Sequence, residues 1–364
     1  MIEFLPLKYY QGFYYYIIMF VVLISILNLY SNNFLDIKNL RKLHTLGFVL
    51  AIFIIIIMGL RPINGFYFGD TETYALRFNQ FVEKPFMNIG DSDIVFYSLM
   101  KNCSRIININ FFFLICSILY VIPLYFASIK LFKNYWYYSF LMLVISLSFW
   151  SYGVNGVRNG IATSIFIYAI SRPKIKIQLL FLLISFGFHK SMILPIIGYL
   201  FTLKFNSSRM YLIFWFSCIP FSLLIGSYFQ GLISGFFEDD KLNSYFYSTT
   251  QLKEFTRTGF RWDFLIYSML GVFSGWYFIV KKQFKDMLYN KIYCIYLFSN
   301  AIWIIVIRTS FSNRFAYLSW FIMGLLIVYP FLKKEIFPNQ RKILANIIFA
   351  YFAITFVLDN ILAR

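Results

Sequence analysis

The chain of 364 residues is 60% hydrophobic and 23% aromatic, carries only 13% charged residues, and has a formal net charge of +18. Together with a mean hydropathy of +0.69, this excludes a soluble globular domain and indicates a polytopic membrane protein. The basic excess falls in short clusters between apolar runs, as orientation signals do, which argues against nucleic-acid binding; Cys103, Cys116, Cys218 and Cys294 form neither a disulfide framework nor a CxxC metal pattern.

The opening segment MIEFLPLKYYQG has no small-residue cleavage site, so the first span is expected to be retained. Apolar runs suited to a hydrocarbon core of about 30 Å then predict an all-α chain of about 12 transmembrane helices. They lie near 12–30, 45–60, 110–129, 135–151, 156–171, 177–188, 191–203, 210–230, 262–280, 292–308, 315–331 and 343–359. The whole chain, 1–364, reads as a single transmembrane domain, with neither an internal repeat nor a low-complexity tract.

One set of loops holds 18 of the 33 basic residues, among them Lys38, Arg41, Arg172, Lys204, Lys281 and Lys333, with only Asp36, Asp286 and Glu335 against them. The positive-inside rule makes those loops cytoplasmic. Both termini then lie outside, with longer external loops at 61–109 and 231–261. Residues 177–203 admit a second reading, as one continuous span with His189 and Lys190 near its middle. That reading would move the downstream basic loops outside, so a hairpin of two short helices turning at His189-Lys190 is preferred. Such a turn lies below the outer surface and must line a cavity.

Within the 61–109 loop, Phe96, Leu99, Met100 and Cys103 recur at helical spacing. They predict an amphipathic helix along the outer interface, either capping the bundle or guiding lipid. The 231–261 loop mixes charges and aromatics, including Asp239, Asp240, Arg257 and Arg261, as a sugar-binding or merely solvated surface does.

Arginine is unevenly distributed, with Arg61, Arg158, Arg308 and Arg314 at external helix ends. The planar guanidinium matches phosphate bidentately, so the four suit a diphosphate in an outward-facing cavity. The plainer alternative is that they snorkel to headgroups. In RPINGFYFGDTETY, an extended backbone would project Asp70 and Glu72 the same way, as a base with its helper or a metal site requires; pairing with Arg61 is the plainer role for Glu72. His189, Lys190 and Ser191 place two titratable groups side by side among apolar residues. His189 is thus either a packing residue or one that deprotonates a hydroxyl or donates to phosphate.

These residues fall into four ordered motifs: R-(x)7-GD-x-x-x-Y (Arg61, Gly69, Asp70, Tyr74), N-G-x-R-x-x-I-A (Asn155 to Ala162), F-H-K-S (Phe188 to Ser191) and N-R-F-x-Y (Asn313 to Tyr317). Over roughly 45–330 the pattern resembles the EpsG-like family of Wzy-type bacterial polysaccharide polymerases, which assemble O-antigen, capsule or exopolysaccharide. The resemblance implies a GT-C-like membrane glycosyltransferase in the cytoplasmic (inner) membrane, with its site facing the periplasm or exterior. It implies transfer of an oligosaccharide from undecaprenyl diphosphate to a second lipid-linked repeat unit. Arg158, Arg308 and Arg314 are then expected at the diphosphate, with Arg61, Lys190, Tyr74 and Tyr317 in the substrate site and either Asp70 or His189 as base. Neither a metal nor another cofactor is expected. The expected partners are the lipid-linked oligosaccharides, the bilayer and a chain-length regulator. An O-antigen ligase and a lipid-linked oligosaccharide flippase are the rival readings. A ligase would carry a larger external loop, and a flippase repeated halves or charges through midplane spans.

Overall fold

The computed structural model describes residues 5–31, 37–90, 93–234, 259–309 and 312–361. Every regular element among them is helical, and seven helices are long and apolar enough to cross a membrane. Helices satisfy their own backbone groups, which is what a chain this apolar requires of a spanning segment.

The chain divides into two compact units, the first comprising 1–193 and 331–364. It contains α1 (Leu7–Ser31), α2 (Ile37–Gly59), the short α3 (Gly65–Phe68), α4 (Thr71–Glu83), α5 (Ile94–Cys103), α6 (Ile109–Phe132), α7 (Trp136–Val144), α8 (Leu147–Val154), α9 (Val157–Ile170) and α10 (Ile175–Phe188). Every residue of α7 is buried, as expected of a helix that is apolar all round. Helix α9 packs against α6, α8 and α10, and α2 packs on the far end of this set through α6 and α7. Small residues make the closest approaches. A Cβ on Gly160 would come within 2.5 Å of the Tyr152 carbonyl oxygen, so only glycine lets α9 sit this near α8.

The second unit, 194–330, contains most of α11 (Ile193–Lys204), then α12 (Ser208–Ser234), α13 (Trp262–Trp276), α14 (Met287–Ile305), α15 (Asn313–Trp320) and most of α16 (Met323–Lys333). Its interior is held by a satisfied polar network. Trp215 Nε1 donates to Asn300 Oδ1 at 2.8 Å, and Asn300 Nδ2 donates to Ser268 Oγ and Ser319 Oγ at 3.0 and 2.9 Å. The chain ends with α17 (Gln340–Phe356), which belongs to the first unit and packs on α1.

Each predicted span coincides with a helix or a pair of short ones, the run at 135–151 being interrupted at Ile145–Ser146 and that at 315–331 at Phe321–Ile322. The break expected at 189–190 is present: α10 ends at Phe188, His189 is extended at φ −155°, and a single 3-10 turn covers Lys190–Met192. A continuous helix through 177–203 is therefore excluded.

The segment after α2 differs from expectation in one respect. Asp70 and Glu72 do not lie on an extended strand-like stretch; Asp70 precedes helix α4 and Glu72 falls in its first turn. Tyr74, Phe78 and Phe81 recur on one buried face of α4, and that helical periodicity overrides the extended reading. The amphipathic helix predicted around residues 96–103 is α5, with Phe96 and Met100 fully buried. The Tyr74, Phe96, Phe112 and Phe78 rings, with neighbouring centroids 5.5–5.8 Å apart, fasten α4 and α5 to α6. Apart from its two ends, the loop at 231–261 lies outside the described residues, as do Arg257 and Arg364.

Candidate active site

The first unit draws three of the four sequence motifs into one constellation, and N-G-x-R-N-G at 155–160 is its hub. Asn155 Oδ1 accepts the Asp70 amide at 3.0 Å, tying the GD turn to the end of α8. Gly69 sits at φ +59°, and a Cβ there would come within 2.3 Å of the Asn155 amide, so the turn requires glycine for both its backbone and its space. Four residues later, Asn159 Oδ1 accepts the Ser191 hydroxyl at 2.9 Å and ties the F-H-K-S turn to the start of α9.

Arg158 lies between these ties, in the first turn of α9. A cation is disfavoured at the positive end of a helix dipole, so it is not there to stabilise the helix. Its Nη1 donates to Asp93 Oδ2 at 2.5 Å and to the Tyr97 hydroxyl at 3.3 Å, while Nε donates to the Tyr74 hydroxyl at 3.3 Å. Burial pushes the Tyr74 phenol upward, with the Arg158 guanidinium opposing, so it stays protonated at neutral pH.

Asp93 is the residue that sequence reasoning missed. Its side chain is only 3% exposed, and its backbone is left-handed at φ 50°. It occupies the cap position before α5, yet makes no capping hydrogen bond. Its carboxylate is turned instead to Arg158 and to the backbone N–H of Lys190, which donates to Oδ1 at 2.9 Å. An aspartate directly before a predicted amphipathic helix was a legible signal for a special position, but it pointed to a helix cap.

His189 Nδ1 accepts the Ser191 N–H at 3.2 Å and lies 3.8 Å from Asp93 Oδ1. With Nδ1 accepting, the neutral ring carries its proton on Nε2, which makes that nitrogen a donor. The Lys190 side chain is exposed beside it.

Arg61 is placed differently. It is 1% exposed, with its guanidinium 4.6 Å above the Phe113 ring; Nη2 donates to the Val154 carbonyl at 3.0 Å and Nη1 to the Met58 carbonyl. Thr71 Oγ1 donates to the same Val154 carbonyl at 3.2 Å. The pairing of Arg61 with Glu72 is replaced by these carbonyls, and the Glu72 carboxylate lies instead where a Cβ on Gly65 would be.

Thus Asp70, Tyr74, Arg158, His189 and Lys190 are linked through Asn155, Asn159 and Asp93. Arg308, Arg314 and Tyr317 belong to the second unit. Arg308 is half-buried in the turn after α14, where Nη2 donates to the Leu223 carbonyl at 3.4 Å and Nε has no partner among the described residues. Arg314 is exposed in the first turn of α15, and the Tyr317 ring lies 5.6 Å from that of Trp320. Among the described residues no three His, Cys, Asp or Glu side chains are grouped to hold a metal ion.

Seven apolar helices of spanning length among the described residues define a polytopic membrane protein, whose first unit also encloses the Arg158–Asp93 ion pair. The model of the EpsG family matches residues 44–363, and the chain belongs to that family. Membership makes it a polysaccharide-polymerase-type membrane protein with glycosyltransferase-like activity. No curated protein and no solved structure matches it.

Proposed function

We propose that the protein joins oligosaccharide repeat units carried on undecaprenyl diphosphate, at the outer leaflet of the bacterial cytoplasmic membrane. The observation that carries this reading is the Arg158 cluster: a guanidinium held in the first turn of a helix, beside an exposed lysine and a histidine with a proton to donate. A helix N-terminus flanked by cations suits an anion. A diphosphate leaving group needs its developing charge neutralised more than it needs a proton.

In the reaction, the hydroxyl at the non-reducing end of the acceptor attacks the anomeric carbon of the donor. The new glycosidic C–O bond forms as the bond from that carbon to the phosphate oxygen breaks, and the electron pair leaves with undecaprenyl diphosphate. Arg158 and Lys190 neutralise the diphosphate; Arg308 and Arg314 are the second unit's own candidates for binding an anionic substrate. His189 donates from Nε2, because Nδ1 is already occupied by the Ser191 amide. Asp70 takes the hydroxyl proton, and the Asn155 tie to its own amide fixes its position. Tyr74 lines the sugar or phosphate path beside Arg158, and Tyr317 is the second unit's own candidate for a sugar contact. Arg61, enclosed and engaged with two carbonyls, fastens the end of α2 to α8.

The experiment uses the full chain in nanodiscs with synthetic undecaprenyl-diphosphate repeat units. A ladder of products differing by one repeat is expected. It is lost in Arg158→Ala, Arg308→Ala and Arg314→Ala, all judged at equal inserted protein. A single transfer to lipid A without a ladder would favour a ligase, and transport without bond formation a flippase. Normal chain lengths from the Arg308 and Arg314 variants would overturn the assignment of the second unit's arginines.

A further inference from the structure

We propose that Asp93 is the positioning residue of the active site: by gripping Arg158 and the His189–Lys190 turn together, it aims the cations of the first unit at the leaving group. The inference rests on the proposed function and extends it to a residue in none of the four motifs. Three features separate Asp93 from an ordinary helix-capping aspartate. It is nearly fully buried in a mostly apolar unit, it holds a left-handed backbone, and its carboxylate bypasses the helix it precedes. Both oxygens are used, Oδ2 by the Arg158 guanidinium and Oδ1 by the Lys190 N–H, with His189 Nδ1 3.8 Å away. The partners come from α9 and from the turn after α10, while Asp93 itself stands at the head of an external helix. One carboxylate therefore sets the relative placement of three separate segments.

The role is a compromise in charge. Arg158 and Lys190 carry two positive charges, and Asp93 cancels one of them while holding the other groups in place. Removing its charge strengthens the pull on an anionic substrate but releases the guanidinium from its fixed orientation. Misplacement on the scale of an ångström costs about a hundredfold in rate. Asp93→Asn therefore lowers kcat by roughly ten- to a hundredfold while KM for the lipid-linked donor falls or stays level, a split that marks an interaction realised in the transition state. Asp93→Glu, which keeps the charge on a longer arm, restores part of kcat.

The test measures kcat and KM for Asp93→Asn and Asp93→Glu in nanodiscs, normalised to folded protein. It also measures phenylglyoxal modification of Arg158 by peptide mass spectrometry. In the wild-type protein the paired Arg158 is expected to resist the reagent; in Asp93→Asn it reacts several-fold faster. Unchanged kcat per folded molecule in Asp93→Asn would reduce Asp93 to a fold-stabilising role and overturn the proposal. A raised KM with unchanged kcat would make it a substrate contact and overturn it equally. If the wild-type protein forms no product ladder, the proposed function fails. The modification experiment, which needs no turnover, still reports whether Asp93 governs Arg158, and equal Arg158 reactivity in wild type and Asp93→Asn would refute that grip.

Discussion

Replacing Arg158 alone should do more than abolish polymerisation. Arg158→Gln removes the cation facing Asp93, whose side chain is 3% exposed, and strands a carboxylate that retains only the Lys190 N–H at 2.9 Å. Breaking a buried pair in this way costs about 3–5 kcal/mol, and the surviving hydrogen bond puts this case near the lower end, about 3 kcal/mol. Asp93→Asn leaves the charge on Arg158, which is 16% exposed and keeps the Tyr74 and Tyr97 hydroxyls, so it costs less, about 2 kcal/mol. The double variant contains no stranded charge. Its cost is expected to be about 2 kcal/mol instead of the roughly 5 kcal/mol of independent effects, a coupling of about 3 kcal/mol. Equilibrium unfolding of all four proteins in mixed micelles measures the cycle, and the product ladder is read in parallel. The double variant should be about 1 kcal/mol more stable than Arg158→Gln and no less stable than Asp93→Asn, while activity does not recover. Additivity within about 0.5 kcal/mol would mean that the two side chains do not act as a pair, and the reasoning about the site would fall.

Gly160→Ala should sharply lower the yield of folded protein, by about 3 kcal/mol of stability, because the clash is with the Tyr152 backbone and cannot be relieved by a rotamer change. Gly90→Ala, at φ +84° with nothing within 4 Å among the described residues, should cost only about 1 kcal/mol of backbone strain; equal losses at both positions would contradict the packing argument. Asn155→Ala removes the acceptor for the Asp70 amide and should reduce polymerisation with a stability loss of only about 1 kcal/mol, measured by product ladder and thermal midpoint. Gln340→Ala should open the 334–340 turn to protease without affecting the ladder, since that one side chain accepts from the Ile336 and Phe337 amides and donates to the Phe331 and Lys334 carbonyls.

The helical architecture was readable because the apolar runs are long and their basic flanks regular. The break at His189 was readable because a continuous span would have stranded the downstream lysines on the wrong side. What escaped were features decided by distant packing. Helix α4 was hidden behind the D-x-E reading at its start, although Tyr74, Phe78 and Phe81 carry its period. The placement of Arg61 was not legible, because charge patterning assigns a residue to a side of the membrane and says nothing of the carbonyls that enclose it. Asp93 lies 65 residues from Arg158 and 97 from Lys190, so its sequence neighbours disclose neither partner.

The ties from Asn155 to Asp70 and from Asn159 to Ser191 bear on how such a chain can be recombined. A hybrid that imports only the stretch around 155–160 from a divergent relative brings two amide hooks shaped for loops it has left behind. The smallest exchangeable module is the trio of segments 69–74, 155–160 and 188–191 together with Asp93, though they are scattered along more than a hundred residues of the chain. Chimeras that respect that trio should tolerate wholesale replacement of their lipid-facing surfaces, and those that split it should fail even where every swapped residue is individually conservative.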